Sequence, residues 1–390
     1  MATEERGILY NTVSFRFLRF CKFLPKHGQN PRHCLIKINV IFSIVFVLNF
    51  FIAAYIYTGL ERHLELDVIK FSVVCLVSFA GLMWINIFCV KNRELLLTLA
   101  EKVVNFQTFK KPPQFEKFHK KMMFFSKLHL VYITCASASY FIFFAPIHGR
   151  SCDKINKTRN LTEVCTLLIA LHIPFVENQN LGKFPIVYII NSIIFFIAFY
   201  MYVVGGTIVW LNVELVEYIR IRIRHVKILL LKAMRNTDQV ERRRELRYAL
   251  KYHVAVYQMG ILADKFFGIE LFLHVVLTGV NLGVSAFVMI QGGSLESLLI
   301  FVGWLNAIIM GCVAGQHLTN EGSAIFDVLY HVNWYDFDIG LKKDLVFFLL
   351  RSNRPMCIRA GNVVMTNRLL IQILRTAYSY ITFLRNIAQN

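Results

Sequence analysis

Residues 35–57 read LIKINVIFSIVFVLNFFIAAYIY, and their one charge, Lys37, lies close to the start. About 20 apolar residues in a helix cover the ~30 Å hydrocarbon core of a bilayer. The stretch is therefore read as a membrane span, with Lys37 reaching back to the surface. A basic run, Arg16, Arg19, Lys22, Lys26 and Arg32, precedes it. No small-residue cleavage pattern follows, so the helix is expected to insert as a signal anchor with its N-terminus inside.

Outward from this span, six more stretches have the length to cross: 71–90, 128–147, 184–211, 266–290, 298–318 and 362–385. The fourth is long enough to tilt or to run past the surface. The last is the least apolar, because it carries Arg368, Gln372 and Arg375. The composition of all 390 residues agrees, at 56% hydrophobic and 17% charged. Ordinary globular chains have about 45–50% and about 25%. Few Gly and Pro exclude collagen-like, linker-rich and disordered classes. The fold expected is all-α, a polytopic membrane protein of seven transmembrane helices.

A net charge of +19 would suggest a nucleic-acid partner on a soluble chain. Here its distribution decides. With the N-terminus inside, segments 1–34, 91–127, 218–265 and 319–361 hold 6, 9, 12 and 5 Lys and Arg, or 32 of the 43. The external segments hold 7. That bias places the N-terminus in the cytoplasm and the C-terminus outside, and no nucleic acid is expected. Two glycosylation sequons, at Asn156 and Asn160, fall in one external loop, 148–183. The same loop holds Cys152 and Cys165, which can pair in an oxidising lumen or stay free. The nine cysteines include no CxxC pair that would point to zinc or redox chemistry.

The internal segments read as helical. Val213–Ala255 is broken only by RNTDQ at 235–239. Arg220-Ile221-Arg222-Ile223-Arg224 alternates like a strand, but a helix continuing out of the fourth span fits better. Its arginines are expected in water or facing lipid headgroups. Glu241 and Glu245 among Arg242–Arg244 suit i,i+3 and i,i+4 pairing. DLVFFLLR at 344–351 is too short to span, so it is expected to pack on protein, in this chain or another subunit, as part of a cytoplasmic anchor at 319–361. Gly279/Gly283 and Gly311/Gly315 mark close helix contacts.

On the last span, Arg368, Gln372, Arg375, Ser379, Phe383, Asn386 and Asn390 fall within about 80° of arc at 100° per residue. Polar groups facing lipid are expensive, so this stripe must meet protein or water. It can hydrogen-bond inside a closed bundle. Repeated around a symmetry axis it can instead line a pore, with Phe383 as an apolar constriction. Two arginines there count against a simple cation path.

The tail carries a more specific signal. Leu349-Leu350-Arg351-Ser352-Asn353-Arg354-Pro355, then Ala360-Gly361, then Ala377-Tyr378-Ser379-Tyr380-Ile381-Thr382-Phe383-Leu384-Arg385 resembles the LLLRSQRP…AG…SYSYFTLLR ending of insect odorant receptors. His172-Ile173-Pro174-Phe175 and Phe184-Pro185-Ile186-Val187-Tyr188 match more weakly. The TYxxxxxQF-like ending of gustatory receptors is not matched. The resemblance implies a ligand-gated, non-selective cation channel, a heterotetramer of tuning subunits and a shared co-receptor, working in the plasma membrane of olfactory sensory neurons. Because 218–265 lacks the co-receptor's longer loop, the chain resembles a tuning subunit. The family pore is lined by the last helix, which implies a gate near Phe383 and Ile387. A basic residue near Arg375 is frequent in family tuning subunits.

Odorant pockets of the family lie in the outer bundle among spans 2, 3, 4 and 6. Depth then suggests Phe71, Val74 and Ser78, with Ser137, Tyr140 and Phe144, then Tyr188, Asn191 and Phe195, and finally Phe301 and Trp304. Tyr140, Tyr188 and Trp304 rank first, since each offers a ring and a hydrogen-bond donor. A small volatile ligand is the expected partner, beside the bilayer and permeating cations. A G-protein-coupled receptor is the competing seven-helix class. It requires an external N-terminus, and neither a DRY-like triplet nor an NPxxY-like run is present. An enzyme or transporter lacks paired intramembrane carboxylates, a metal-ligand cluster or a nucleophile motif, so no cofactor or metal is expected.

Overall fold

The computed structural model describes residues 12–24, 31–61, 66–144, 153, 156–158, 164–174, 176, 178–292, 295–331, 334 and 337–389. A short helix, α1 (Val13–Phe20), precedes α2 (Pro31–Glu61) and α3 (Leu66–Lys91). Then come α4 (Arg93–Val104) and α5 (Phe115–Ser139), which ends in a π-helical turn at Tyr140–Phe144. Two very long helices follow, α6 (Ile186–Arg235) and α7 (Gln239–Gly292). The chain closes with α8 (Leu295–Tyr330), α9 (Ile339–Ser352), a hairpin of β1 (Arg359–Ala360) and β2 (Val363–Val364), and α10 (Asn367–Gln389).

Helices α2, α3, α6, α7 and α8 each contain a stretch long and apolar enough to cross a membrane. Helices α5 and α10 complete a seven-helix bundle at the places of the third and seventh expected spans. Neither is uniformly apolar: α5 spends its first half on a basic segment with Lys117, Lys120, Lys121 and Lys127, and α10 carries the polar stripe. The last helix starts at Asn367 rather than 362, because residues 359–364 form the hairpin.

At 1.5 Å per residue, α6 and α7 are about 75–80 Å long, more than twice the hydrocarbon thickness. Both overshoot at the end that carries Arg220–Lys251. The break between them is local chemistry. Asn236 Oδ1 accepts from Asp238 N at 3.2 Å and Asp238 Oδ1 from Val240 N at 3.1 Å, side-chain turns that compete with helix. Helices α6 and α7 form the packing centre, touched by α3, α5, α8 and α10. Helix α2 lies at the rim, with Phe46 and Phe50 exposed where lipid would cover them.

The arginine run 220–224 is helical, but it is not a solvated stripe. Arg222 is 1% exposed. Its guanidinium donates to Val103 O and Asn105 O, both at 2.7 Å, and lies 4.4 Å from the Phe106 ring. It thereby satisfies carbonyls at the end of α4, where a helix has no partners of its own. Arg220 pairs with Glu217 at 2.7 Å, and Arg224 and Lys227 with Glu321 of α8. The side chains therefore tie three helices together. Arg244 pairs with Glu241 as spacing suggested, whereas Glu245 reaches across the break to Lys232.

The tail motifs have physical roles. The segment after α9 runs past Gly260 and Gly322, where a Cβ on Gly260 would collide with the Met356 side chain and one on Gly322 would press on Met356 N at 3.0 Å. Gly361 turns the hairpin at φ +62°, a region open mainly to glycine, and its N–H donates to Gly268 O of α7 at 3.0 Å. Arg359 N donates to Asp264 Oδ1 at 2.8 Å. Gly315 seats the Met365 backbone and Gly283 seats Tyr380 and Ala377 of α10, while Gly279 meets nothing. Helix α9, capped by Asp338 Oδ1 on Leu341 N at 3.1 Å, buries Leu341, Leu345 and Phe348 and leaves Phe347 and Leu350 exposed. Half of the expected packing face is thus met within the chain.

Candidate functional site

A cavity of about 210 Å³ lies within the bundle, walled by α3, the end of α5, the middle of α6, His274 of α7 and the first half of α8. It exists because small residues sit where helices cross. A Cβ on Gly205 would come within 2.8 Å of Leu82 Cδ2, one on Gly206 within 2.8 Å of Ile133 Cγ1, and one on Gly81 within 2.6 Å of Trp304 Cη2. The π turn after α5 widens the helix beside it and swings Tyr140 and Phe141 to the wall. Such turns concentrate at functional positions.

The lining is aromatic with a few polar groups, the usual build of a small-molecule site. Tyr132, Tyr140, Phe141, Tyr202 and Trp304 contribute rings. Ser137 Oγ donates to Ile133 O at 2.8 Å, and His129 Nε2 sits 3.1 Å from Gly206 O. His129 stacks on Trp210 at 4.9 Å, and His274 on Trp304 at 5.3 Å. On the side of the cavity nearer the α6–α7 break, Asn212 Nδ2 donates to Glu270 Oε2 at 3.2 Å. Glu214 is 2% exposed and accepts from Ser126.

Of the residues suggested by depth, Ser137, Tyr140 and Trp304 meet at this cavity. Phe71, Val74 and Ser78 are buried against neighbouring helices, and Ser78 accepts from Asn281 at 2.7 Å. Tyr188 is 66% exposed, four turns before the part of α6 that lines the cavity. Asn191 bonds the preceding loop, accepting from Leu168 N and donating to Thr166 O. Phe195 packs on Phe141 at 5.0 Å, one layer behind the wall, and Phe301 is half-buried on α8. The Phe144 side chain is outside the described residues. Sequence reasoning missed His129, Tyr202, Gly205, Gly206 and His274. The Gly-Gly pair and the two intramembrane histidines were the available signals.

Helix α10 presents three faces. Leu369, Ile373 and Ala377 are buried, on the side turned to α7. The stripe of Arg368, Gln372, Arg375, Ser379, Phe383 and Asn386 is exposed. A third face, Ile371, Leu374 and Tyr378, is apolar and also uncovered. Ser379 Oγ donates to Arg375 O at 3.1 Å, so its hydroxyl serves its own helix. Among the described residues neither Arg368 nor Arg375 has an ion-pair partner. The side chains of Ile387 and Asn390 lie outside the described residues, as do Cys152 and Asn160. Cys165 is disulfide-bonded, and Asn156 Nδ2 lies 3.2 Å from its Sγ.

The family model described as 7tm Odorant receptor matches residues 66–378. Odorant receptor 30a of Drosophila melanogaster is 25% identical over 227 residues, covering 56% of this chain and 58% of that one. Odorant receptor Or2 of Anopheles gambiae is 28% identical over 148 residues, covering 37% and 39%. The matched stretches thus span about half or less of the length of these relatives. Over the whole fold, the chain superposes on the insect olfactory receptor OR5 from Machilis hrabei in complex with eugenol. The TM-score is 0.73 and identity 10%, covering 99% of this chain and 97% of that one.

Proposed function

The chain belongs to the 7tm Odorant receptor family, a family of receptors and not enzymes, and on that premise we propose that it is the odorant-binding tuning subunit of a heteromeric, odorant-gated, non-selective cation channel. Its partner is the shared odorant receptor co-receptor, in a tetramer at the plasma membrane of olfactory sensory neurons. The N-terminus is cytoplasmic, as the positive-inside bias supports. The observation that carries the reading is the contrast between an aromatic cavity lined by helices of one chain and α10, whose polar and apolar outer faces are left open. In a tetramer the apolar face would meet a neighbour and the polar stripe would face the axis.

Helix α7 belongs to both parts. His274 lines the cavity, and Gly283, nine residues on, receives Tyr380 and Ala377 of α10. A ligand that binds the open state better shifts the equilibrium by its differential affinity. In this chain that shift acts through α7 and withdraws Phe383 from the axis. Arg375 lines the path in only some subunits, so its repulsion is diluted by hydration and by partner helices.

The test is an odorant panel on cells expressing this chain with and without the co-receptor. Odor-evoked current is expected only with it. A robust response from this chain alone would replace the heteromer with an autonomous homotetramer. An epitope tag at the N-terminus is expected to stay hidden on intact cells and one after Asn390 to be labelled; reversed labelling ends the orientation.

A further inference from the structure

His274 stands apart in the cavity wall. It is 3% exposed, and neither ring nitrogen has a hydrogen-bond partner. The other polar side chains of the wall are served or wet. His129 and Ser137 bond backbone carbonyls, Tyr140 and Tyr202 have partners within the chain, and Tyr132 and Asn306 are partly exposed. The His274 ring stacks on Trp304, at 5.3 Å and 27° between planes. A buried polar group left unpaired is costly, and supplying its partner recovers that cost.

We propose that His274 is the specificity-determining residue of this cavity and that it selects single-ring ligands carrying one hydroxyl group. The inference rests on the odorant-receptor reading and names the class of ligand at that site. Size comes from the volume. An apolar cavity of about 150 Å³ holds benzene, so about 210 Å³ takes one ring with a short substituent. Shape comes from the flat walls of Tyr140, Phe141 and Trp304. Polarity comes from His274. A neutral imidazole has one donor and one acceptor nitrogen. Both ring nitrogens are shielded in this structure, so a ligand reaches them by parting His274 from Trp304; a hydroxyl can then pair with either nitrogen, whereas a hydrocarbon can pair with neither.

The test uses two matched pairs on cells expressing this chain with the co-receptor: benzyl alcohol against ethylbenzene, and 4-methylphenol against 1,4-dimethylbenzene. Each pair exchanges a hydroxyl for a methyl at nearly constant shape. His274→Phe, which keeps the stack on Trp304, is expected to raise the half-maximal concentration of both hydroxyl compounds about tenfold, the worth of one neutral hydrogen bond. The hydrocarbons should move less than about twofold, within the usual effect of a tolerated apolar swap. His274→Gln, which keeps a donor and an acceptor, should retain the hydroxyl preference. Comparing ratios between variants cancels partitioning into the membrane.

Equal shifts for hydroxyl and hydrocarbon members would make His274 a packing residue and overturn the proposal. So would a wild-type channel that answers other volatiles and none of these rings, an outcome that leaves the receptor reading intact. A surface-labelled heteromer silent to every volatile sinks the receptor reading itself. If His274→Phe does not reach the surface, His274→Gln and the wild-type hydroxyl-to-hydrocarbon ratio at equal membrane concentration decide. A ratio near one overturns the proposal.

Discussion

The cavity and α10 lie on opposite sides of α7, and they are finished to different degrees. The cavity is lined by residues from five helices of one chain, most of them buried or half-buried. Helix α10 buries one face, Leu369, Ile373 and Ala377, and leaves two bare. On the proposed reading, one chain is sufficient to recognise a small molecule and insufficient to enclose an ion path. The division predicts that ligand preference follows this chain's own residues, while conduction is shared with whatever covers α10.

The largest effect that could break this division comes from filling the cavity. A Cβ on Gly303 meets nothing within 4 Å, so Gly303→Leu adds volume at the wall. Odorant sensitivity is expected to fall at least about tenfold, the usual scale of overpacking, with the reversal potential unchanged. A shifted reversal potential would merge the two regions. Next comes the joint between them. Gly283→Ala would press on the Tyr380 Cβ and the Ala377 carbonyl. It should alter basal current and move the half-maximal concentration of every odorant by a common factor of about five to ten. A changed rank order of odorants would place the joint inside the recognition site.

Substitutions on the stripe should be smaller and blind to ligand. Phe383, 60% exposed on this chain, is expected to hold the path shut; Phe383→Ala should raise basal current about two- to threefold if dewetting there closes it. An unchanged basal current removes it as a gate. Arg375→Gln should raise single-channel conductance by about twofold, since exposed charges in a wet path are screened. Ser379→Ala should do least. Its hydroxyl already bonds its own helix, so a change within about 0.5 kcal/mol is expected.

How much of this was legible depended on the kind of helix. The stripe of α10 could be read directly, because polar and apolar residues separate on its surface and the period alone orients it. The bundle helices are apolar all round, so depth could be read from sequence but facing could not. That is why depth suggested Tyr188 and Val74, whereas the cavity is lined by Tyr202 and His274. The criterion of a ring with a donor picked Tyr140 and Trp304, which line the cavity, but also Tyr188, which does not, and it passed over Tyr132 and Tyr202. The hidden burial of Arg222 has a related cause. Local alternation with isoleucines resembles a surface run, and only the arrival of the α4 carbonyls, more than a hundred residues away in sequence, draws one arginine inward.

The hairpin at 359–364 has a consequence for how such a protein can change. It pins the foot of α10 to Asp264 and Gly268 of α7, using residues that take no part in the cavity. Alterations to the walls therefore leave the joints undisturbed. Drift at the walls can change what fits inside while the footing of α10 holds, much as a lock is rekeyed without rehanging the door.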